Sequence, residues 1–399
     1  MGHTLLQIVD WLLWIPLAAS TLYILFFALA SMFPGRSKKK EEHDEHHSFL
    51  VLFPAYKEDK VITGSVQSVM QQDYPKEHFH VAVISDHMEA STNEQLSALG
   101  ANVLVPHFDK SSKAKALQFA MENETWGTNK EKCKVVILDA DNVVEPDFLR
   151  RLNDVCHEGH RAIQCHRTAK NSNNGISTLD GVSEEINNSL FRRGHSRVGL
   201  SAVLIGSGMC FDHDLFCQDV KELHSAVEDR ELDGLLALQR VGIHYVDDIM
   251  VYDEKVSSSE NFQRQRQRWI TGQVQTLLMM LRRFPAALLK GNVNYVDKTL
   301  QQALIPRSLL LLFTPPLAVV FTVLSFIPAL APYLSPLRWW LLLAAECLAI
   351  FIAIPGRLRI AAMRHALLVP RMAWTMAKNV VHVRLKDKEF HHTTHTVEN

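Results

Sequence analysis

Apolar residues run almost without interruption through residues 5–33, 309–334 and 339–355. The first run exceeds the ~20 residues that a helix needs to cross a bilayer, and the third lies near the lower limit of ~17. All three are predicted to span a membrane; a buried core helix is the alternative for each. Asp10 is the only charge in the first run and lies near its end, whereas Glu346 sits well inside the third and demands a partner. Trp339 and Trp340 open the third run and suit anchoring at the headgroup level. Arg36, Lys38, Lys39 and Lys40 follow the first run rather than precede it, which argues against a cleaved signal peptide.

Between the first two runs the period shortens and alternates. Residues 49–53 form an apolar run stopped by Pro54, which predicts a buried strand. Helical spacing over 61–71 follows, ended by Asp73-Tyr74-Pro75. Residues 80–86, 101–105 and 134–139 read as further strands, and 92–99 and 113–123 as helices. This alternation predicts an open, largely parallel α/β sheet. Ligands bind such sheets beyond the carboxyl ends of their strands, where Asp86 and Asp139 stand.

Beyond residue 150 the alternation weakens. Residues 201–211 suggest a strand and a turn with Gly206 and Gly208; 227–241 are helical and 245–252 extended. Charged residues 35–47 mark a linker. Residues 273–289 and 357–384 are amphipathic with basic residues, as in helices lying in a membrane interface.

Charge is nearly balanced, with 42 Lys and Arg against 43 Asp and Glu, so the chain lacks the basic footprint of nucleic-acid binding. Basic residues nevertheless cluster beside the apolar runs: Arg282 and Arg283 precede the second, and Arg357, Arg359 and Arg364 follow the third. The positive-inside rule then puts the N-terminus outside, with residues 35–308 and the C-terminus in the cytoplasm. Six cysteines show no CxxC pairing, which speaks against zinc; reduced core thiols are expected.

Three motifs carry candidate chemistry. Asp139 and Asp141 flank one alanine, so on an extended segment both carboxylates can point the same way and share Mg²⁺ or Mn²⁺ at a diphosphate. A solvated turn is the alternative. Glu228-Asp229 opens a helix, where the acids complement the helix dipole or supply a base for an acceptor hydroxyl. In Gln265-Arg266-Gln267-Arg268-Trp269, Arg268 can grip phosphate oxygens and Trp269 can stack on a sugar. Arg264, Arg266 and Arg268 alternate, and a basic helix facing anionic lipid is the competing reading.

Pro54-Ala55-Tyr56-Lys57-Glu58, Asp86, Lys113, Asp139-Ala140-Asp141, Glu228-Asp229 and QRQRW occur in the order found in membrane-integrated family 2 glycosyltransferases. That group includes cellulose, chitin, hyaluronan and poly-N-acetylglucosamine synthases and ceramide glucosyltransferase, and the chain resembles it over roughly residues 49–275. The resemblance implies a GT-A fold with a Rossmann-like mixed sheet, a nucleotide-sugar donor, Mg²⁺ or Mn²⁺, and inversion at the anomeric carbon. Tyr56, Glu58 and Asp86 resemble the nucleoside pocket, Lys113 a diphosphate or uridine contact, Asp141 the metal ligand and Asp139 its support. Asp229 resembles the catalytic base; Glu228, Gln265, Arg268 and Trp269 resemble the clamp on donor and acceptor. His87 follows Asp86 where many relatives carry Asp or Gly.

Near the C-terminus, Phe390-His391-His392-Thr393-Thr394-His395 is similar to the FxVTxK gating loop of cellulose synthases, with His395 in place of lysine and His392 in place of valine. A frayed histidine-rich tail is the alternative. The expected organisation is a first span over 1–34, a linker over 35–48, a cytoplasmic GT-A domain over 49–275 and interfacial helices over 276–308. Two spans over 309–355 and an interfacial helix with the candidate gating loop over 356–399 complete it. The expected protein is an integral enzyme of a bacterial inner membrane, in contact with lipids and using a donor such as UDP-glucose or UDP-N-acetylglucosamine. QRQRW and the tail favour a growing polysaccharide as acceptor; the small number of spans favours one transfer to a glycolipid or polyprenyl carrier. Polymer export would need a homo-oligomer or a partner. A non-catalytic sensor of nucleotide sugars is the alternative of another class.

Overall fold

The computed structural model describes residues 2–35, 43, 45–225 and 227–381. Helix α1 (Gly2–Ser31) is followed by β1 (Ser48–Tyr56), α2 (Ile62–Met70), β2 (Phe79–Asp86), α3 (Ala90–Ala98), β3 (Asn102–Leu104), α4 (Lys113–Asn123) and β4 (Cys133–Ile137). The predicted alternation is present, with one difference. Strand β1 continues through Pro54 to Tyr56, pairing Pro54 with Ile84 of β2. Leu52 accepts from Leu138 on the β4 side. Two residues on, Pro54 turns its nitrogen the same way, beyond the last β1–β4 pair at Leu52 and Ile137, so no ladder bond is lost.

The chain continues through β5 (Val143–Val144), α5 (Phe148–Cys156), β6 (Ala162–Ala169), α6 (Gly175–Asn187), a π-helical stretch (Asn188–Gly194) and α7 (His195–Arg197). Then come β7 (Met209–Asp212), α8 (His213–Asp219), α9 (Glu228–Leu238), β8 (Ile243–Asp253) and α10 (Ser259–Leu281). Residues 201–208 are irregular, not the strand expected from residue 201, because Gly206 and Gly208 take left-handed φ values of 82° and 63°. The eight strands form one sheet in the order β3-β2-β1-β4-β7-β6-β8-β5. Its β3-β2-β1-β4 half is parallel, whereas β7 runs antiparallel to both β4 and β6. The sheet is therefore mixed.

Alternation along β1 divides the core. Phe49, Val51 and Phe53 pack on one face with Ile62, Val66 and Leu149, while Leu50 and Leu52 pack on the other with Ala114, Leu117 and Leu236. Each of these large side chains contributes roughly 1.5–3 kcal/mol on burial. Helices therefore cover both faces, and the carboxyl ends of β1, β2 and β4 form an edge facing a crevice.

The remainder is helical: α11 (Phe284–Leu289), α12 (Val293–Ala303), α13 (Arg307–Ser325), α14 (Pro336–Ala353), α15 (Arg359–Arg364) and α16 (Val369–Val381). Residue 275 lies inside α10, so the boundary expected there falls within a helix. Three helices among the described residues are long and apolar enough to cross a membrane: Thr4–Ser31, Arg307–Ser325 and Pro336–Ala353. The second ends at Ser325, earlier than residue 334, where Pro328 and Pro332 prevent continuation.

The two acids in these helices have partners. Glu346 accepts from Thr21 of α1 at 3.2 Å and Thr314 of α13 at 2.7 Å, tying all three helices together. Asp10 pairs with Arg338 and accepts from the Trp339 indole at 2.9 Å. Trp339, expected at the headgroup level, is instead fully buried among the apolar helices and stacks on Phe321 at 5.1 Å, with its N–H satisfied by Asp10. Trp340, 44 % exposed, points outward.

The apolar helices grip the sheet domain through α6 and the π-helical stretch. Leu17 and Phe27 of α1, Ile186, Leu190, Phe321 and Trp339 share one core. At Gly194 the α1 backbone passes so close that a Cβ would lie 2.4 Å from the Phe27 carbonyl oxygen. The His195 ring lies 3.6 Å from that of Phe27 and nearly parallel to it. Tyr23 donates to Asp297 of α12 at 2.6 Å.

Candidate active site

Tyr56 and Asp86 are register partners at the ends of β1 and β2. Both strands then turn through left-handed residues, Lys57 at φ 56° and His87 at φ 57°, and Lys57 N–H donates to the Asp86 carbonyl at 3.1 Å. A histidine rarely adopts this conformation, which costs of the order of 1 kcal/mol. Its imidazole Nδ1 lies 2.6 Å from the buried Asp86 carboxylate, and its ring meets Tyr56 edge-on at 5.5 Å. The unusual residue after Asp86 therefore orients two members of the expected nucleoside pocket. Glu58 lines the same cavity.

After β4 the chain makes a turn closed by Asn142 N–H donating to the Asp139 carbonyl at 3.0 Å. Asp139 and Asp141 thus sit on a turn, not on the extended segment expected, because β4 pairing ends at Ile137. Both still line the cavity. Asp141 is buried; its two oxygens accept from Asn142 Nδ2 and from Glu254 N–H, each at 3.1 Å. Carboxylates such as these are hard oxygen donors of the kind that suit Mg²⁺ or Mn²⁺.

Ser112 caps α4 by accepting from Lys115 N–H at 3.2 Å, which places Lys113 in the first turn beneath these acids. Its ammonium pairs with Asp139, donates to the Gly206 carbonyl at 2.6 Å and lies 3.6 Å from Glu228. Burial opposes this charge, but Asp139 and then Glu228 hold the Lys113 pKa above the lysine range. Burial also pushes the Glu228 carboxyl up to about 7, since its ammonium contact is the longer of the two. Asp229 turns one oxygen to Arg230 N–H at 2.8 Å, and its other oxygen lies 3.5 Å from where a Cβ on Gly206 would stand. Glu231, also in the first turn, accepts from the backbone of His224 and Ser225 at 2.8 Å each and so ties down the preceding loop.

Helix α10 presents Gln265, Arg266, Arg268 and Trp269 to the same cavity. Arg266 contradicts the lipid-facing alternative. It is buried against Asp180 of α6, with its guanidinium 4.1 Å from the Trp269 ring centre and 4.8 Å from that of Phe262. Positions 262, 266 and 269 share one helix face, and that face turns inward. Arg264 is exposed.

A second charged cluster escaped the sequence reading. Arg167 of β6 holds Glu184 at 2.7 Å and Asp253 at 3.1 Å and approaches Asp139 at 3.9 Å; Lys255 pairs with Glu184 and, at 2.9 Å, with Asp253. Burial opposes the Arg167 charge, but Glu184 and Asp253 raise its pKa. No motif marks these residues, which meet only through the β6–β8 pairing. Phe390, Thr393 and His395 lie outside the described residues.

Together these residues enclose a cavity of about 750 Å³ that reaches from the sheet edge to α13, α14 and α16. Another group able to offer metal ligands, Glu158, His160 and His244, lies at the opposite ends of β6 and β8. Its two imidazoles stack 3.8 Å apart and 9° from parallel, so their in-plane lone pairs cannot converge on one ion as placed.

The family model described as "Glycosyltransferase like family 2" matches residues 46–272. Among solved structures, a mannosyltransferase from Pyrobaculum calidifontis, in complex with GDP-Man and Mn²⁺, is similar at 16 % identity and TM-score 0.53, covering 91 % of this chain and 95 % of its own. TarS residues 1–349 from S. aureus show 14 % identity and TM-score 0.44, covering 84 % and 89 %. No curated protein sequence matches the chain. The likeness to the mannosyltransferase shows the same fold, and the family match covers more than half of the sequence: the chain belongs to the glycosyltransferase like family 2.

Proposed function

We propose that this chain is an inverting membrane glycosyltransferase using a UDP-linked sugar, glucose or N-acetylglucosamine foremost, on the cytoplasmic side of a bacterial inner membrane. One observation supports this above the others. Lys113, Asp139, Asp141, Asp229, Arg268 and Trp269, far apart in sequence, line one cavity that also touches the span helices.

In this reading Tyr56, Glu58 and Asp86 hold the nucleoside, and Lys113 and Arg268 hold the diphosphate. The donor set fits Mg²⁺ or Mn²⁺ at Asp141 with support from Asp139; when bound, the ion neutralises charge on the leaving diphosphate. Asp229 takes the proton of the acceptor hydroxyl as that oxygen bonds to the anomeric carbon and the bond to the diphosphate breaks, inverting the centre. Gln265 and Trp269 orient the acceptor.

The cavity wall favours a lipid acceptor. Beyond the acids it is lined by Ile350, Phe351 and Ile354 of α14 and by Met363, Met372 and Met376. A growing polysaccharide is the second reading, favoured by Trp269 as a stacking surface. Incubating the full-length protein with radiolabelled UDP-glucose or UDP-N-acetylglucosamine, membrane lipids and Mg²⁺ or Mn²⁺ tests this. One labelled lipid is expected. A ladder would favour the polymer, and donor binding without any transfer would favour a sensor.

A further inference from the structure

Helix α6 lines the cavity and carries Asp180, Ser183 and Asn187 along one face. Two guanidiniums bind this face. Arg266 pairs with Asp180, whereas Arg307, the first residue of span α13, donates only to neutral groups: the Ser183 carbonyl at 3.2 Å, Ser183 Oγ at 3.3 Å and Asn187 Oδ1 at 2.7 Å. Among the described residues no carboxylate pairs with Arg307, and Arg266 stands close enough to repel it. One carboxylate thus serves two cations in a partly dehydrated pocket. Such a surplus favours an anion.

Three polar atoms point to the same occupant. Arg266 Nε, Ser308 Oγ and Gln265 Oε1 are buried without a hydrogen-bond partner, and all three residues line the cavity. Two of them can donate to phosphate oxygens, and the third can accept from a hydroxyl. Arg307 opens a helix long and apolar enough to cross a membrane, a position that suits contact with lipid phosphates. The wall formed by Phe351, Met363, Met372 and Met376 is apolar and suits acyl chains, with the Arg359 guanidinium over the Phe351 ring, 4.3 Å from its centre.

We propose, resting on the transferase reading above, that the acceptor is a phospholipid with a hydroxylated headgroup. Its phosphodiester binds Arg307, Arg266 and Ser308, its hydroxyl reaches Asp229, and its tails lie along the methionine wall. The hydroxyl proton passes to Asp229, the new bond joins that oxygen to the anomeric carbon, and the nucleoside diphosphate leaves.

Equilibrium binding to the purified full-length protein in detergent tests this with three probes: phosphatidylglycerol, diacylglycerol without the phosphate, and glycerol 3-phosphate without the tails. Phosphatidylglycerol is expected to bind at least about tenfold more tightly than either, the loss of a charge-assisted contact being worth that factor or more. Arg307→Gln should weaken it about tenfold, Arg307→Lys should restore part of the loss, and UDP affinity should be unchanged in both. Equal binding of diacylglycerol, equal binding of glycerol 3-phosphate, or indifference to Arg307→Gln would each overturn the assignment. Parallel loss of UDP affinity in Arg307→Gln would move the anion to the donor's diphosphate and overturn it too. Failure of the wild type to bind UDP would instead strike the transferase reading itself.

Discussion

At the residue scale, the division of labour at the start of α9 is the sharpest result. Glu231 satisfies the preceding backbone, Glu228 is pressed toward neutrality by burial beside Lys113, and Asp229 keeps an oxygen toward the cavity. Asp229→Asn should lower turnover by about 10²–10⁴-fold, the span of a lost general base. Donor affinity should stay within about twofold by UDP titration; unchanged turnover would remove Asp229 from the reaction. Gly206 offers a paired comparison with Gly199. Their φ values are 82° and 80°, so an alanine at either is strained by about 1 kcal/mol. A methyl at Gly206 would stand 3.5 Å from Asp229 and 3.6 Å from Lys113, whereas at Gly199 it meets nothing within 4 Å. Both variants should unfold at similarly lowered temperatures, and only Gly206→Ala should also lose kcat. The placement of Asp139, Asp141 and Asp229 at one cavity was legible because each follows a recognisable strand or opens a helix. Arg167 and Arg307 were not, since each acquires its meaning from partners on other elements.

At the element scale, the reading held through β4 because strands and helices alternate there at short, regular intervals. After β6 it found α9 and β8 but not α6, the π-helical stretch or the irregular path of residues 201–208, for physical reasons. The π-helical stretch Asn188–Gly194 breaks the α-helical period after α6, and glycine turns interrupt residues 201–208. Strands β6 and β8 pair in parallel with a register shift at Cys165 and His166. There His166 is buried between Glu185 at 3.1 Å and Asp247 at 3.2 Å, with Arg193 and Arg357 holding the outer sides of those acids. Burial opposes its charge, but the hydrogen bonds to Asp247 and Glu185 push its pKa up to about 9. A group raised in the folded state stabilises fully below its unfolded value of 6.5 and ceases to do so as pH rises through about 9. The stability lost in His166→Gln, measured by denaturant unfolding, should therefore be largest near pH 6 and shrink by about 3 kcal/mol at pH 10. A difference that stays constant over this range would mean that His166 is neutral in the folded protein.

At the scale of the whole molecule, the spans and the catalytic half share one core rather than a flexible tether. The hydrophobic runs announced the spans, but the arrangement of their polar residues was hidden, because pairing between Asp10 and Trp339 joins opposite ends of the chain. Trp339→Ala should destabilise the detergent-solubilised protein by about 3–5 kcal/mol, as for a large buried aromatic, and Trp340→Ala by less than about 1 kcal/mol. Thermal unfolding distinguishes them; equal losses would place Trp339 outside the bundle. The contact at Gly194 has a wider consequence. With the first apolar helix locked against the floor of the cavity, the distance from Asp229 to that helix is fixed, and the molecule has the rigidity of a ruler. Under the proposed function, acceptors are then selected by where their hydroxyl stands relative to that helix as well as by their affinity for the pocket.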